Sequence, residues 1–458
     1  MMFNSAKLTT RKSEGSLAWT NNTNLIILAF SLVFYGRIFC TITKAPPVLN
    51  HAHFVIVPFV LWIALSTTVI KNAQQTKLVQ SLLLGLFIFL VAILASALWN
   101  GAGLINAVAS FMMLGEPMMF LVAIACIPMS PESFTRIKRW FMGSVLINFL
   151  LAALQKPLID ANKLYADGFN GTDGCGGVFF VSGAGNYVSA SISIAFAIYF
   201  LVNGKNFPLW ARITALLAAL WQLLFSDSKQ LVFAYLLAWI LLTVFNFKDV
   251  GKTIQLLLGI TITGMIFFWC IQNLEAFGAF TAWARPELYG ENGDAWFTKF
   301  YSVKAILTEF DSWGNWLFGL GPGHSVSRLG AWFMQDYQWI LAPLGATTTS
   351  IGIDSREFIN NFWLAQGSSL FSPIFGWAGI WGDLGLVGLS AYLFLAYSIW
   401  KHFGLDNSLK ITLLATLILG FIFTQIEEPG YMLSISLMLG LAWHKKRLKF
   451  EQNQQLQI

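Results

Sequence analysis

Residues 275–373 begin EAFGAFTAWARPELYGENGDAWF and end SIGIDSREFINNFWLAQGSSLFSP, and they form the only long stretch of this chain that is too polar to cross a membrane. The stretch holds nine acidic residues, five basic residues and seven tryptophans. Loops longer than roughly 15 residues are usually functional or disordered, and so many aromatic side chains are not typical of disorder. We therefore expect this segment to carry the binding or the chemistry.

The composition of the whole chain indicates a membrane protein. Of its 458 residues, 56% are hydrophobic and 11% are charged, whereas soluble domains carry about 25% charged residues. The first 24 residues are polar and show no apolar core before a cleavage site, so the first apolar run is expected to stay in the protein. Four scattered cysteines give no metal or redox signal. The net charge of +6 does not indicate nucleic acid as a partner, because the positions of the basic residues relative to the membrane explain it.

Apolar runs of roughly 17–25 residues predict transmembrane helices, and the chain contains twelve. All should be helical, because only helices and closed barrels satisfy their backbone in lipid. The runs lie at 24–40, 54–70, 78–99, 103–127, 138–155, 178–202, 208–225, 230–246, 253–274, 374–400, 409–424 and 430–443. The expected fold is an all-α membrane protein with about twelve transmembrane helices: a tail at 1–23, spans one to nine within 24–274, the large loop at 275–373, spans ten to twelve within 374–443, and a tail at 444–458.

The distribution of Lys and Arg predicts the orientation of these spans. With the N-terminus in the cytoplasm, eighteen of the twenty-eight basic residues lie in cytoplasmic segments and only five in the short outer segments. Both tails are then cytoplasmic, and the 275–373 loop between spans nine and ten is extracytoplasmic.

Two shorter outer segments also stand out. Residues 156–186 contain seven glycines, which imply tight backbone near a neighbour or a ligand. Residues 226–230, with the sequence SDSKQ, form a polar break between spans seven and eight, and a capped link between helices explains it equally well. Within the large loop, residues 294–311 have helical spacing and predict a packing face on the membrane domain. That face consists of Trp296, Phe300, Val303, Leu307 and Phe310.

The loop also contains a glycine-rich turn, LFGLGPGH, at residues 317–324. It is not a dinucleotide site, because no strand precedes it in a βαβ unit and it lies outside the cell. Its backbone N–H groups could still approach an anion. His324 ends the turn; a lone histidine is commonly a hydrogen-bonded structural residue, and it is also a candidate base.

Charged residues near the membrane are few. Asp354, Arg356 and Glu357 precede the aromatic run that leads into span ten, so they are expected at the interface, where a lipid diphosphate would lie. Within the spans, Glu116 and Asp383 are intramembrane polar residues. Buried charge in lipid is expensive and usually functional, although an interior pairing role explains each of them as well.

Several short motifs together resemble those of the bacterial O-antigen polymerase and O-antigen ligase superfamily. Residues 318–323, FGLGPG, resemble a stretch of its loop, and residues 383–389, DLGLVGL, resemble the acidic-x-Gly-x-x-Gly run in the span after the loop. The break at 226–228 and Asn186 in GNY resemble two further features of that superfamily, as do the twelve spans and the late loop. The superfamily's ligases usually carry a His-Asn pair shortly before the acidic run, whereas this chain has Asn360-Asn361.

The resemblance implies glycosyl transfer at the outer face of the plasma membrane. The donor is a glycan on undecaprenyl (polyprenyl) diphosphate, and the acceptor is a second lipid-linked glycan for a polymerase or a lipid A core for a ligase. A polymerase is favoured and a ligase is the alternative. The resemblance also implies membrane lipid, a flippase and a chain-length regulator as partners, and no cofactor.

Candidate roles follow from this chemistry. Positive charge near the leaving diphosphate stabilises the transition state without a metal ion, and a carboxylate or histidine takes the proton of the acceptor hydroxyl. The diphosphate candidates are Arg285, Arg356, Arg328 and Lys229, and the catalytic candidates are His324, Glu357 and Asp354.

Two other classes of function remain open from the sequence. A transporter or flippase for lipid-linked glycan should line a path across the bilayer with polar groups, but mid-span charge is nearly limited to Glu116. A non-catalytic assembly subunit would not need basic residues gathered at one face of the loop.

Overall fold

The computed structural model describes residues 12–68, 73–164, 174–180, 184–245, 250–278, 286–290, 293–367 and 369–455. Their regular structure is helical, with no strand in these ranges. Arg285, one of the predicted diphosphate ligands, lies outside the described residues. So does part of the glycine-rich segment, at 165–173 and 181–183.

Fifteen helices are labelled here in chain order. They are α1 Lys12–Thr43, α2 His53–Thr67, α3 Ala73–Trp99, α4 Leu104–Cys126, α5 Pro131–Asp160, α6 Gly185–Asn203, α7 Leu209–Phe225, α8 Gln230–Phe245, α9 Val250–Asn273, α10 Asp294–Glu309, α11 Trp313–Phe318, α12 Ser350–Asn361, α13 Gly376–Phe403, α14 Asn407–Leu419 and α15 Pro429–Gln455. Short α-helical turns lie at Pro286–Tyr289, Met334–Asp336, Gln338–Leu341 and Trp363–Gly367, and a π-helical turn lies at Leu329–Phe333. Short 3-10 turns lie at Pro47–His51, Gly177–Phe179, Glu275–Phe277, Ala342–Leu344, Ser369–Phe371 and Gln425–Glu427.

Within the described part of the chain, seven helical segments are long and apolar enough to cross a membrane, which agrees with an all-α membrane protein. They are Asn22–Thr43, Pro47–Thr67, Ala73–Trp99, Leu104–Cys126, Pro131–Asp160, Gly185–Asn203 and Gly376–Phe403. Four shorter apolar helices coincide with further predicted spans: Leu209–Phe225, Gln230–Val244, Leu258–Asn273 and Asn407–Leu419. The total of twelve crossings stays a prediction, as do the orientation and the placement of the loop.

Helix α4 lies at the centre of the membrane domain. It packs against α2, α3 and α15, and α13 packs against α3. Small residues allow these approaches: Gly440 of α15 faces Ile124 of α4, and Gly85 of α3 faces Leu395 of α13. Small residues are typical of helix contacts in membranes, where packing replaces the hydrophobic effect as the driving force.

The 275–373 segment is folded onto these helices over its described part. One buried cluster joins Ile306 of α10 and Val326 of the glycine-rich turn to Ala378 of α13. A second cluster joins Met113 of α4 to Leu329 in the π-helical turn. Together the two clusters hold the glycine-rich turn and the residues directly after it against α4 and α13.

The prediction of which face of α10 packs on the membrane domain is wrong for most of the five residues named above. Trp296, Phe300 and Leu307 are about half exposed, and Phe310 alone of the five is buried. The buried residues of α10 are three small ones, Ala295, Thr298 and Ser302, together with Ile306. The reason is close approach: Ile306 lies against Gly382 of α13, where an added Cβ would be 2.6 Å from its Cδ1 atom.

Candidate functional site

The glycine-rich turn is bound to Asp383 of α13. One carboxylate oxygen of Asp383 accepts a hydrogen bond from the Gly323 N–H at 2.9 Å. The other accepts from the Ser325 N–H at 3.0 Å and from the Ser325 hydroxyl at 2.6 Å. Asp383 is almost fully buried. Its interior pairing partner is therefore the backbone of the turn, and the two sequence motifs that the resemblance singled out are in direct contact.

Backbone geometry makes this contact possible. Helix α13 is kinked at Gly385, whose φ is +65°. The turn's own N–H groups donate to the α13 carbonyls, Leu320 to Gly382 at 2.8 Å and Gly321 to Asp383 at 3.0 Å. Gly319 has φ +72°, and a Cβ there would come within 2.5 Å of the Asp383 backbone. Only glycine fits such a left-handed, closely approached position without strain.

His324 braces the same turn. Its Nδ1 lies 3.2 Å from the Leu320 carbonyl oxygen, and its Nε2 lies 2.7 Å from the Thr347 hydroxyl. A carbonyl oxygen can only accept, so the network assigns a proton to Nδ1, and in the neutral tautomer Nε2 accepts from the Thr347 hydroxyl. Proton transfer from a substrate to His324 would require one of these bonds to break.

Arg328 follows the turn and reaches the link between α14 and α15. Its Nη2 atom pairs with Glu428 Oε1 at 3.0 Å, and its Nη1 donates to the Glu427 carbonyl oxygen. Both side chains of the ion pair are mostly shielded from solvent. A guanidinium that bonds in this way is held in one orientation, because its planar fork fixes the direction of every donor.

Glu427 is the most unusual group in this region. Its side chain is only 4% exposed, and its Oε1 atom has no hydrogen-bond partner within the described part of the chain. Burial raises the pKa of Glu427 to about 8, the charge of Arg328 opposes that rise, and the carboxylates of Asp383 and Glu428 add to it. A small cavity of about 10 Å³ lies beside it, lined also by Ser110, Met113, Leu114, Ser327, Leu329, Gly379, Ile380, Asp383 and Leu384.

Further polar groups interact with Arg328. His51, in the 3-10 turn before α2, bonds through Nε2 to the Tyr337 hydroxyl at 3.0 Å. Burial raises the pKa of Tyr337, while the positive charges of Arg37 and Arg328 oppose that rise, so both arginines act on this hydroxyl electrostatically. We name Arg37, His51, Arg328, Tyr337, Glu427 and Glu428 the Arg328 cluster.

Glu116 lies deeper, in α4. It is fully buried, and its two carboxylate oxygens lie 2.8 and 3.0 Å from Nδ1 of the buried His53. This intramembrane carboxylate therefore has an interior partner, as one of the two sequence interpretations expected. Met113, one turn earlier on α4, packs under Leu329, so the pair lies below the same part of the loop.

Lys299 ties α10 to the link that carries Glu427. Its Nζ donates to the carbonyl oxygens of Ile422 at 2.7 Å and Ser372 at 3.0 Å, and it lies 6.0 Å from the centre of the Phe423 ring. Burial lowers the pKa of Lys299 to about 7. With its donors aimed at two carbonyl groups, this lysine acts as a strut between the loop and the link.

The other predicted site residues lie apart from this cluster. Arg356 pairs with Asp336 at 2.6 Å, and its guanidinium lies 5.1 Å from the centre of the Trp332 ring. Asp354 and Glu357 are exposed on α12. Lys229 is buried and pairs with Asp227 at 3.1 Å in the link between α7 and α8. Of the predicted diphosphate ligands that the structure describes, Arg328 alone belongs to the cluster.

The glycine-rich segment at 156–186 has a structural explanation where it is described. Gly177 exchanges two hydrogen bonds with the Gln155 side chain, at 2.7 and 2.8 Å. Its φ is +58°, and a Cβ there would lie 2.3 Å from Asn148 Oδ1. Asn186 donates to the Ser226 carbonyl at 3.0 Å, which joins this segment to the break at 226–230. The tight backbone thus fits against neighbouring helices.

Sequence reasoning missed Glu427, Glu428 and the approach of Arg37 and His51. A signal for the first two was present: residues 425–430, QIEEPG, place two adjacent carboxylates between two apolar runs of a chain with only 22 acidic residues. Nothing in the sequence linked them to Arg328, which is about 100 positions earlier. Across the described ranges, no group of three or more His, Cys, Asp or Glu side chains is arranged to hold a metal ion.

In comparisons with known proteins, no family model and no curated protein matches the chain. The geometry around Arg328 and Glu427 is therefore the observation from which a function has to be inferred.

Proposed function

We propose that this protein is a membrane glycosyltransferase that moves a glycan from a polyprenyl diphosphate carrier to a sugar hydroxyl at the outer face of the plasma membrane, and so extends a surface polysaccharide. A single observation carries the proposal: an oriented guanidinium, Arg328, bonds to the backbone of Glu427, whose buried carboxyl has an Oε1 atom without a partner among the described residues and which lines a small cavity. These are the two groups that transfer from a diphosphate requires.

The arginines serve the leaving group. As the bond between the sugar and the diphosphate breaks, negative charge grows on the phosphate oxygens, and fixed positive charge nearby stabilises that transition state. Arg328 supplies a bidentate fork for phosphate, and Arg37 adds a second positive charge that acts on the same Tyr337 hydroxyl. Glu428 holds Arg328 in position before the donor arrives, and the diphosphate then replaces it as partner.

Glu427 serves the acceptor. The acceptor oxygen attacks the anomeric carbon, its proton passes to Glu427 Oε1, and the carrier leaves as polyprenyl diphosphate. A base works best when its pKa lies near the working pH, and burial raises the pKa of Glu427 to about 8. The cavity of about 10 Å³ holds roughly one water-sized group, so it fits a hydroxyl group, and the sugar ring would lie outside it.

The direct test is transfer in a defined system. Purified protein in lipid nanodiscs is supplied with a polyprenyl-diphosphate-linked glycan and a labelled acceptor glycan. The proposal expects one molecule of free polyprenyl diphosphate for each glycosidic bond formed. Movement of intact lipid-linked glycan across a sealed bilayer, with no new bond and no released diphosphate, would replace the transferase by a flippase.

A deletion strain separates polymerase from ligase. Loss of a polymerase leaves single-repeat glycan on the surface, visible as one band above the unmodified acceptor on a gel. Loss of a ligase leaves no attached glycan, and lipid-linked polymer accumulates. We expect the first pattern, as the resemblance in the motifs favours a polymerase.

A further inference from the structure

A wide groove lies between α1 and α5, and none of its described lining residues belongs to the Arg328 cluster. It has a volume of about 1020 Å³. Its walls include Ile27 and Tyr35 of α1 and one face of α5 that runs from Pro131 to Ile147. Neither the proposed transfer nor the motifs use this groove.

The groove is polar at one end and apolar along its length. Arg136 and Arg139 lie on the face of α5 that lines it, near the start of the helix, and among the described lining residues Glu132 is the one acidic side chain. Both arginines are exposed. Arg136 also donates to the Thr23 hydroxyl of α1 at 3.0 Å, which holds its guanidinium across the mouth. Two guanidinium groups against one carboxylate give this end a positive charge.

Farther along α5 from the two arginines, the polar groups at the groove are uncharged. Trp140 is 44% exposed and donates through Nε1 to the Ser31 hydroxyl at 3.0 Å. The Tyr35 and Ser144 hydroxyls meet at 2.8 Å. At 1.5 Å per residue, Ser144 lies about 7.5 Å farther along α5 than Arg139. Charge, then hydroxyl groups and then apolar wall is also the order of phosphate, ester and acyl chain in a phospholipid.

Gly143 keeps the groove open. It lies on the lining face of α5, and a Cβ built there would meet no atom within 4 Å. A glycine inside a helix is unfavourable by roughly 1 kcal/mol relative to alanine. Because Gly143 has no side chain, the groove has room for a hydrocarbon chain beside the Trp140 ring.

We propose that this groove binds an anionic phospholipid of the surrounding bilayer, with the phosphate at Arg136 and Arg139 and an acyl chain over Gly143. Charge complementarity selects an anionic head group, since basic pockets between transmembrane helices are typical sites for such lipids. The orientation expected from the sequence places this end at the cytoplasmic leaflet. The inference does not depend on the proposed transferase activity.

The experiment measures the thermal midpoint of the full-length protein in detergent as phosphatidylglycerol or phosphatidylcholine is added. A ligand that binds only the folded state raises that midpoint. We expect phosphatidylglycerol to raise it at much lower concentration than phosphatidylcholine. Arg136→Ala with Arg139→Ala should weaken the phosphatidylglycerol response about 30-fold, because a basic residue near the membrane surface contributes about fivefold in affinity.

Matched variants separate the groove from general effects. Gly143→Leu fills the groove and should abolish the response, whereas Gly264→Leu, also in open space within α9, should not. Lys138→Ala is the charge control, because Lys138 lies over the Phe207 ring on another face of α5. Equal responses to the two lipids, or a full phosphatidylglycerol response from Gly143→Leu, would overturn the proposal. A response to polyprenyl phosphate at lower concentration than to phosphatidylglycerol would also overturn it, by assigning the groove to the carrier.

Discussion

Arg328 and Glu428 form an ion pair of 3.0 Å that joins the large loop to the link between the last two helices. The two residues are 100 positions apart in the chain, and the guanidinium also donates to the backbone carbonyl oxygen of Glu427. An anion that binds Arg328 must compete with Glu428, so the pair also sets the affinity of the site. Replacing Arg328 or Glu428 therefore tests whether this ion pair controls anion binding at the site.

Arg328→Ala should lower turnover by about 10- to 150-fold at normal protein abundance. A charge-assisted contact of this kind contributes roughly 1.5–3 kcal/mol, and here it is expected to strengthen as charge develops on the diphosphate. Arg328→Lys should rescue only part of the loss, because a point charge does not reproduce the fork. The measurement is the rate at which polyprenyl diphosphate is released from the donor in nanodiscs.

Arg356→Ala is the matched comparison for Arg328→Ala. Arg356 lies in the same loop, has one carboxylate partner and rests on Trp332. A partly exposed ion pair contributes little, so turnover should stay within about twofold of the unmodified protein. A large loss for Arg356→Ala with normal turnover for Arg328→Ala would return the donor site to α12.

The helices were largely predictable from the sequence, because the length of an apolar run decides whether a helix can cross a bilayer. Each predicted span overlaps a helix of the structure. The packing face of α10 was not predictable in this way. The rule that large apolar side chains face inward assumes water on the other side. The contact with α13 is made by Ile306 against Gly382, and Trp296 and Phe300 stack on the exposed face with centroids 5.7 Å apart.

The site was only partly predictable for a related reason. Arg328 could be proposed from its charge and its place after the glycine-rich turn. Glu427 differs from an ordinary surface carboxylate only through burial, and that burial comes from segments far apart in sequence, including Ser110 of α4 and Gly379 of α13. The contact between Asp383 and Gly323 likewise depends on a kink at Gly385 that no periodicity reveals.

A reporter fused near Gly290 should be exported, while reporters fused near Lys248 or after Lys449 should stay in the cytoplasm. The reason is the bias of eighteen basic residues against five between the two sides of the membrane. Alkaline phosphatase and a cytoplasmic reporter at each position measure both outcomes. A cytoplasmic signal at Gly290 would place the Arg328 cluster on the wrong side for a carrier-linked donor that has been flipped outward.

Transfer should continue in excess EDTA. In the proposed mechanism the fixed charges of Arg37 and Arg328 take the role that a divalent cation has at many diphosphate sites. The release of polyprenyl diphosphate is measured before and after chelation, and again after Mg²⁺ or Mn²⁺ is added back. Activity that disappears with EDTA and returns with one of these ions would assign the charge stabilisation to a metal.

Asp383→Asn should destabilise the loop. An amide in place of the carboxylate presents an NH₂ group to one of the backbone N–H groups of the turn, and a buried donor without a partner costs about 1–3 kcal/mol. The expected result is a lower thermal midpoint and faster proteolysis after Phe318. Asp311→Asn, at an exposed position of the same loop, should change neither measurement.

In the proposed transfer reaction, Glu427 should give turnover a pH dependence with a defined sign. Its pKa of about 8 means that the carboxyl is mostly protonated at pH 7, so turnover should rise as pH increases through about 8 and then level off. Stability should move in the opposite direction. The folded pKa lies above the ordinary value of 4.5, so the folded state binds more protons between pH 4.5 and about 8, and the free energy of unfolding falls across that interval.

Glu427→Gln separates these two effects, because the amide cannot accept the proton and does not titrate. Turnover should fall by at least about 100-fold, within the range that general-base catalysis contributes, and the remaining activity should lose its rise near pH 8. The thermal midpoint of Glu427→Gln should lose the part of its pH dependence that the carboxyl supplies. Glu357→Gln, at an exposed carboxylate of α12, is the matched control and should keep both profiles. If Glu427→Gln altered the stability profile but kept full turnover with its rise near pH 8, Glu427 would be a buried structural carboxyl, and the base would have to be one of the exposed groups on α12.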